Sequence, residues 1–143
     1  LLCEEEDEET ALACSGALAI LTSNSAKCCE KMITPSSWLE ILHTLIANPS
    51  PDVQFRGIVI IHNMIRQSKT VAEKIFDTDV LQLLMGVTQL NDEKRSKAIE
   101  EAKLCLKTAE DMKLIQEKKD DANDMMPDVF QQPQNEDLEE ENE

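Results

Sequence analysis

Apolar residues recur at helical spacing through most of the chain, and short polar breaks divide them into seven segments. Residues 9–22, ETALACSGALAILT, are rich in alanine and leucine and predict a closely packed helix. Gly16 inside it costs roughly 1 kcal/mol relative to alanine, a cost that close helix–helix approach would explain. Ser23-Asn24-Ser25 interrupts the pattern and can cap a short helix at 26–32. After a junction at 34–37, TPSS, the positions Trp38, Leu39, Ile41, Leu42, Leu45 and Ile46 predict a medium helix. Asn48-Pro49-Ser50-Pro51 ends it. A further helix starts near Asp52, with Val53, Gly57, Ile60, Ile61 and Met64 on one face. A short helix at about 69–76 follows, and Thr78 or Asp79 can cap the next, apolar at Val80, Leu81, Leu83, Leu84 and Val87. Asn91 or Asp92 can cap a longer, charged helix from 93 to about 112, apolar at Ala98, Ile99, Ala102, Cys105, Leu106 and Ala109. The β-branched run Ile58-Val59-Ile60-Ile61 has no flanking Asn-Gly or Asp-Gly turn and belongs to a helix, so the class is all-α.

The series repeats. A long, a short and a medium helix at 9–47 are followed by the same order at 52–89, and then by another long helix. Gly16 precedes Gly57 by 41 residues, CCEKM at 28–32 precedes VAEKI at 71–75 by 43, and WLEIL at 38–42 precedes VLQLL at 80–84 by 42. A period of this size with two or three helices per unit predicts an armadillo-like α-solenoid, a right-handed superhelical stack of two to three repeats.

Charge alters the picture mainly at the ends. The formal net charge is -15, with 29 acidic against 14 basic side chains, which argues against a nucleic-acid partner. Residues 4–9, EEEDEE, and residues 120–143 carry most of the excess. The organisation expected is an acidic segment at 1–8, repeats at 9–116 and an acidic disordered tail at 117–143. Met125-Met126-Pro127 with Val129-Phe130 is the tail's one apolar cluster, either a docking motif or strap, or incidental. No signal-peptide pattern and no apolar run of about 20 residues occurs, so no membrane partner is expected. Five cysteines, two of them adjacent, read as free thiols of a reducing compartment, and the cytoplasm is the expected location. The chain opens on Leu1 rather than methionine, which suggests a piece of a longer polypeptide.

Candidate chemistry does not assemble into an enzyme. His43 and His62 are the only histidines, and no HExxH, GxSxG, GxGxxG or phosphate-cradling loop is present. Cys28-Cys29 lack CxxC spacing, Cys14 and Cys105 read as core fillers, and Glu100-Glu101 as a solvated face. No cofactor or metal is expected. The informative stretch is 52–66, DVQFRGIVIIHNMIR, whose helix would line the concave wall of a solenoid. Asn63 offers a donor and an acceptor that could hold an extended peptide, or tie neighbouring helices together. Val59 shares its face, with Arg56 and Arg66 near the edge; Arg56 could meet an acidic partner or Asp52 one turn earlier. Asn63, Arg56, Val59 and Arg66 are the candidate protein-binding residues.

The segments LACSGALAILTS at 12–23, SSWLEILHTL at 36–45, VQFRGIVIIHNMI at 53–65, VAEKIFDTDVLQLL at 71–84 and DEKRSKAIEEAKLCLKTAEDMKLI at 92–115 resemble the C-terminal end of the UCS domain of UNC-45 proteins. That family consists of myosin-directed chaperones or co-chaperones, in which a TPR domain meets Hsp90 and the UCS domain engages the myosin motor domain. The resemblance implies a non-enzymatic segment that binds the motor domain and assists its folding or assembly. Hsp90 would be reached only through a TPR domain that this chain does not include. Asn63 matches the asparagine that armadillo proteins place on the third helix, with Thr22 and Thr108 at the equivalent places in the flanking units, so the asparagine ladder is incomplete. Two other roles fit the same pattern: an adaptor for a native peptide, or a structural cap whose charged helix, with Lys94, Arg95, Lys97, Glu100, Glu101 and Lys107, seals the stack.

Overall fold

A computed structural model describes residues 8–125, with side-chain surroundings described through residue 113. The described residues divide into two units, one ending at Ala109 and one beginning at Glu110. Seven α-helices are present among the described residues: α1 Glu8–Asn24, α2 Ala26–Met32, α3 Trp38–Ile46, α4 Pro51–Gln67, α5 Lys69–Phe76, α6 Val80–Thr88 and α7 Ser96–Met125. A single 3-10 turn, Glu93–Arg95, leads into α7, and none of the described residues is in a strand.

The short polar breaks work as caps. Ser25 Oγ accepts from the Cys28 N–H at 3.1 Å and starts α2. Ser50 Oγ accepts from the Val53 N–H, and Pro51 occupies the first turn of α4, where its missing N–H costs nothing. Ser68 closes α4 and opens α5: its N–H donates to the Met64 carbonyl while its Oγ accepts from Val71. Asp92, not Asn91, caps the turn into α7 through the Lys94 N–H. At α6 the two candidate caps divide the work. Thr78 Oγ1 accepts from the Val80 N–H at 3.2 Å, which frees the Asp79 carboxylate to meet His43 Nε2 at 2.7 Å across the gap from α3. Because Ser68 is buried and its hydroxyl serves a helix start, Ser68→Ala is expected to cost about 1 kcal/mol in urea unfolding followed by circular dichroism.

Helices of the first series pack on their counterparts in the second: α1 on α4, α2 on α5 and α3 on α6. This is the stacking of an armadillo-like helical solenoid. Helix α4 lies at the centre, with Val53, Ile58, Ile60, Ile61, Met64 and Ile65 fully buried. A helix apolar on so much of its circumference needs neighbours on several sides, and α1, α2, α3 and α5 supply them. Gly57 marks the tightest approach. A Cβ at this position would lie 2.6 Å from the Leu45 Cβ, so α3 and α4 meet at this distance only because the side chain is a hydrogen.

The last helix differs from expectation. It runs to Met125 instead of ending near 112, so the expected boundary at 117 falls inside it, and residues 117–125 are helical. No glycine or proline occurs between Ser96 and Met125, and lysine, alanine and glutamate are frequent, all good helix formers. A charge-based tail boundary overlooked the absence of a helix breaker. The rest of the expected tail, including Val129-Phe130, and the acidic residues 1–7 lie outside the described residues.

Candidate functional site

Helix α4 carries the four candidate residues and sits between α1 and α7. On its α1 side, Asn63 is buried, and its Nδ2 donates to the Ala19 carbonyl at 3.0 Å and to Thr22 Oγ1 at 3.2 Å. Its Oδ1 accepts from the Arg66 guanidinium. Both halves of the amide are therefore used inside the fold. Asn63 ties helices together, the second of the two roles its chemistry allowed, and it does not offer a free amide to an extended peptide. One helical turn beyond it, Gln67 Nε2 donates to the Ser23 carbonyl at 2.8 Å and extends the same seam.

Arg56 does not turn to Asp52. Its guanidinium donates to the Leu12 carbonyl and lies over Gly16, where an added Cβ would be 3.1 Å from Nη1. Close helix approach alone thus does not account for Gly16, since it also makes room for an arginine head. Val59 and Phe55 are half-buried and Arg66 is exposed. Arg56, Val59 and Arg66 consequently share a face with Asn63 beneath it.

The α7 side of α4 holds a constellation that sequence reading missed. His62 is buried, with Nδ1 2.8 Å from Glu101 Oε2 and Nε2 2.8 Å from Thr108 Oγ1. A carboxylate only accepts, so Nδ1 carries a proton, and the Thr108 hydroxyl complements whichever state Nε2 adopts. The order carboxylate, imidazole, hydroxyl has the polarity of a nucleophilic triad. Its placement, however, spans two stacked helices and satisfies a buried ring. At the start of the same seam, Arg95 donates to Gln54 Oε1 at 2.7 Å and to the Pro49 carbonyl at 2.8 Å, while Gln54 Nε2 donates to the Ile46 carbonyl at 2.7 Å. The only signal for these pairs was a polar residue within an otherwise apolar helical face.

Beside this seam, burial pushes the Cys105 thiol up to about 12, with the Glu101 charge adding to the effect and Arg66 opposing it. Cys105 is therefore expected to resist iodoacetamide in the folded chain at pH 8.5 and to react once urea unfolds it. A thiol raised in the folded state leaves stability constant below the unfolded thiol's pKa of about 8.5 and lowers it progressively as pH rises above that value. Urea midpoints measured at increasing alkaline pH should fall, and Cys105→Ala should reduce that fall.

The buried residues of α1 are Ala11, Ser15 and Thr22, and α7 buries Ala98, Ala102, Cys105 and Ala109. On the outer side of α1, Ala13, Ala17, Ile20, Leu21 and Asn24 are exposed and mostly apolar. The α7 positions Ser96, Glu100, Lys103, Leu104 and Lys107 are exposed and mostly polar.

No family model matches the chain. It is similar to "Protein unc-45 homolog B" of Danio rerio, at 39% identity over 117 residues covering 80% of this chain and 12% of that protein. The Mus musculus protein of the same description is 40% identical over 108 residues, covering 74% of this chain and 12% of its own length. Among solved structures, UNC-45 from Drosophila melanogaster superposes with a TM-score of 0.75 at 61% identity, covering 79% of this chain and 14% of that one. The chain thus spans roughly an eighth of the length of the proteins it matches.

Proposed function

Because this chain belongs to the UNC-45 family, we propose that it forms the C-terminal part of a UCS domain and helps a myosin-directed chaperone hold the myosin motor domain during folding or assembly. The observation that carries this reading is the stacked helical unit, shared with an UNC-45 structure at high identity. Such a role needs no bond-making group. It needs a rigid wall that spreads many modest contacts over a partly folded client, and the helices α1, α4 and α7 provide side-by-side supports for one. Arg56, Val59 and Arg66 are the proposed client contacts, with Asn63 holding them in place from below. Hsp90 would act through a TPR domain elsewhere in the longer protein, and the site of action would be the cytoplasm. The α1 outer face, where Ile20 and Leu21 are exposed, would receive a neighbouring repeat.

Titrating myosin motor domain with this chain, and with whole UNC-45 carrying or lacking the corresponding segment, tests the reading. Binding by the chain, and a large loss of affinity when the segment is removed, supports client contact here. Unchanged affinity on removal moves the contact elsewhere and favours a cap. That second reading has its own support in the polar outward face of α7, which suits the sealed side of a stack better than a continued one.

A further inference from the structure

We propose that the partly exposed stripe of α4 recognises an extended protein segment bearing two carboxylates about four to five residues apart, one for Arg56 and one for Arg66. The proposal deepens the client-contact reading above and rests on it. Positions 56, 59, 63 and 66 follow helical spacing and share one face. Ten residues at about 1.5 Å each separate the two arginines by about 15 Å along the axis, the length that four to five extended residues span.

Both guanidiniums are anchored by the fold. Arg56 donates to the Leu12 carbonyl over the space left by Gly16, and Arg66 donates to Asn63 Oδ1, itself fixed by Ala19 and Thr22. An arginine has five N–H donors in a planar fork, so one internal bond leaves the geometry that matches a carboxylate. Anchoring also removes rotamer freedom before the partner arrives, which lowers the entropy lost on binding. Val59 between the arginines and Phe55 beside them, both half-buried, offer apolar contact to the intervening partner residues.

The surrounding charges set the limits of the site. Asp52 lies exposed one turn before Arg56 and repels a carboxylate placed beyond that end. On the α7 side, Glu101 is held by His62 and is only partly exposed. An acidic partner finds its matching charges at Arg56 and Arg66.

The test is fluorescence anisotropy with the whole chain at low ionic strength and three labelled synthetic peptides: two glutamates about four residues apart with valines between them, the glutamine twin, and an isomer with the glutamates adjacent. The spaced peptide is expected to bind most tightly, with affinity falling about fivefold for each pair lost in the glutamine twin. Arg66→Gln should weaken the spaced peptide about fivefold and leave the glutamine twin unchanged. Arg56→Gln should act likewise; if circular dichroism shows it unfolded, Arg66→Gln still decides. Equal binding of the spaced and adjacent isomers, indifference to Arg66→Gln, or no binding by any peptide overturns the proposal. Motor-domain binding that survives Arg66→Gln while the peptides fail removes this proposal and leaves the chaperone reading intact. Peptide binding that depends on Arg66, without motor-domain binding, does the reverse.

Discussion

Gly57→Ala is expected to lower the stability of the folded unit by about 2 kcal/mol, although alanine is the better helix former. The gain in helix propensity is about 1 kcal/mol, since glycine loses more backbone entropy on entering a helix. Against it stands the 2.6 Å approach of the new Cβ to the Leu45 Cβ, with the Leu45 carbonyl carbon 3.4 Å away. A Cβ is fixed to its backbone and cannot swing aside, so α3 must shift as a body. Leu42, Leu45 and Ile46 on that helix are buried and would move out of their packing together. Gly86→Ala provides the contrast, because nothing lies within 4 Å of a Cβ there and the position is exposed. That substitution should raise stability by up to about 1 kcal/mol. Thermal unfolding followed by circular dichroism should therefore show opposite shifts, with Gly57→Ala lowering the midpoint by about 10 °C. Equal gains at both glycines would mean that the α3–α4 approach is not a constraint on the fold.

Asn63→Ala should cost about 2–3 kcal/mol, a loss carried by buried groups left without partners. The Ala19 carbonyl and the Thr22 hydroxyl lose a donor in the seam between α1 and α4, and water reaches a site this buried poorly. Arg66 at the same time loses the acceptor that orients it. Arg66→Ala removes an exposed side chain and should cost less than about 1 kcal/mol. Urea midpoints for the two variants separate the roles. A large loss at 63 with a small one at 66 identifies Asn63 as the support and Arg66 as the surface group. Comparable small losses would show that the amide exchanges freely with solvent and is open to a partner after all.

This difference explains why the candidate site was only partly legible. Asparagine within a helix signals that its amide is used, since unused it disfavours the helix. Its donor and acceptor, however, can be satisfied by a bound peptide, by water or by a neighbouring helix, and nothing local separates these. The glycine at 16 posed a similar ambiguity. Its position indicated a close approach, but only the fold shows that the approaching group is the Arg56 guanidinium. His62 gave almost no signal. Its partners Glu101 and Thr108 are 39 and 46 residues away, and the face that brings them together depends on how α7 lies on α4.

Helix content, helix order and most helix ends were determined by the sequence alone, because they depend on short-range physics. Apolar spacing within a turn, serine hydroxyls that reach the next exposed N–H, and prolines that lack one all act within a few residues. The short helices α2 and α5 fall at their expected limits for that reason, and α7 overran its limit because no glycine or proline stops it past the change in charge. The repeat was legible as well, with periods of 42 and 43 from the short and medium helices, and the packing pairs α1 with α4, α2 with α5 and α3 with α6. Which face of each long helix meets which neighbour was decided only by the tertiary structure. An apolar face states that it must be covered, but not by what. Buried polar atoms such as those of Gln54, His62 and Asn63 settle that choice, since each requires a partner at hydrogen-bonding distance and only one stacking supplies them all.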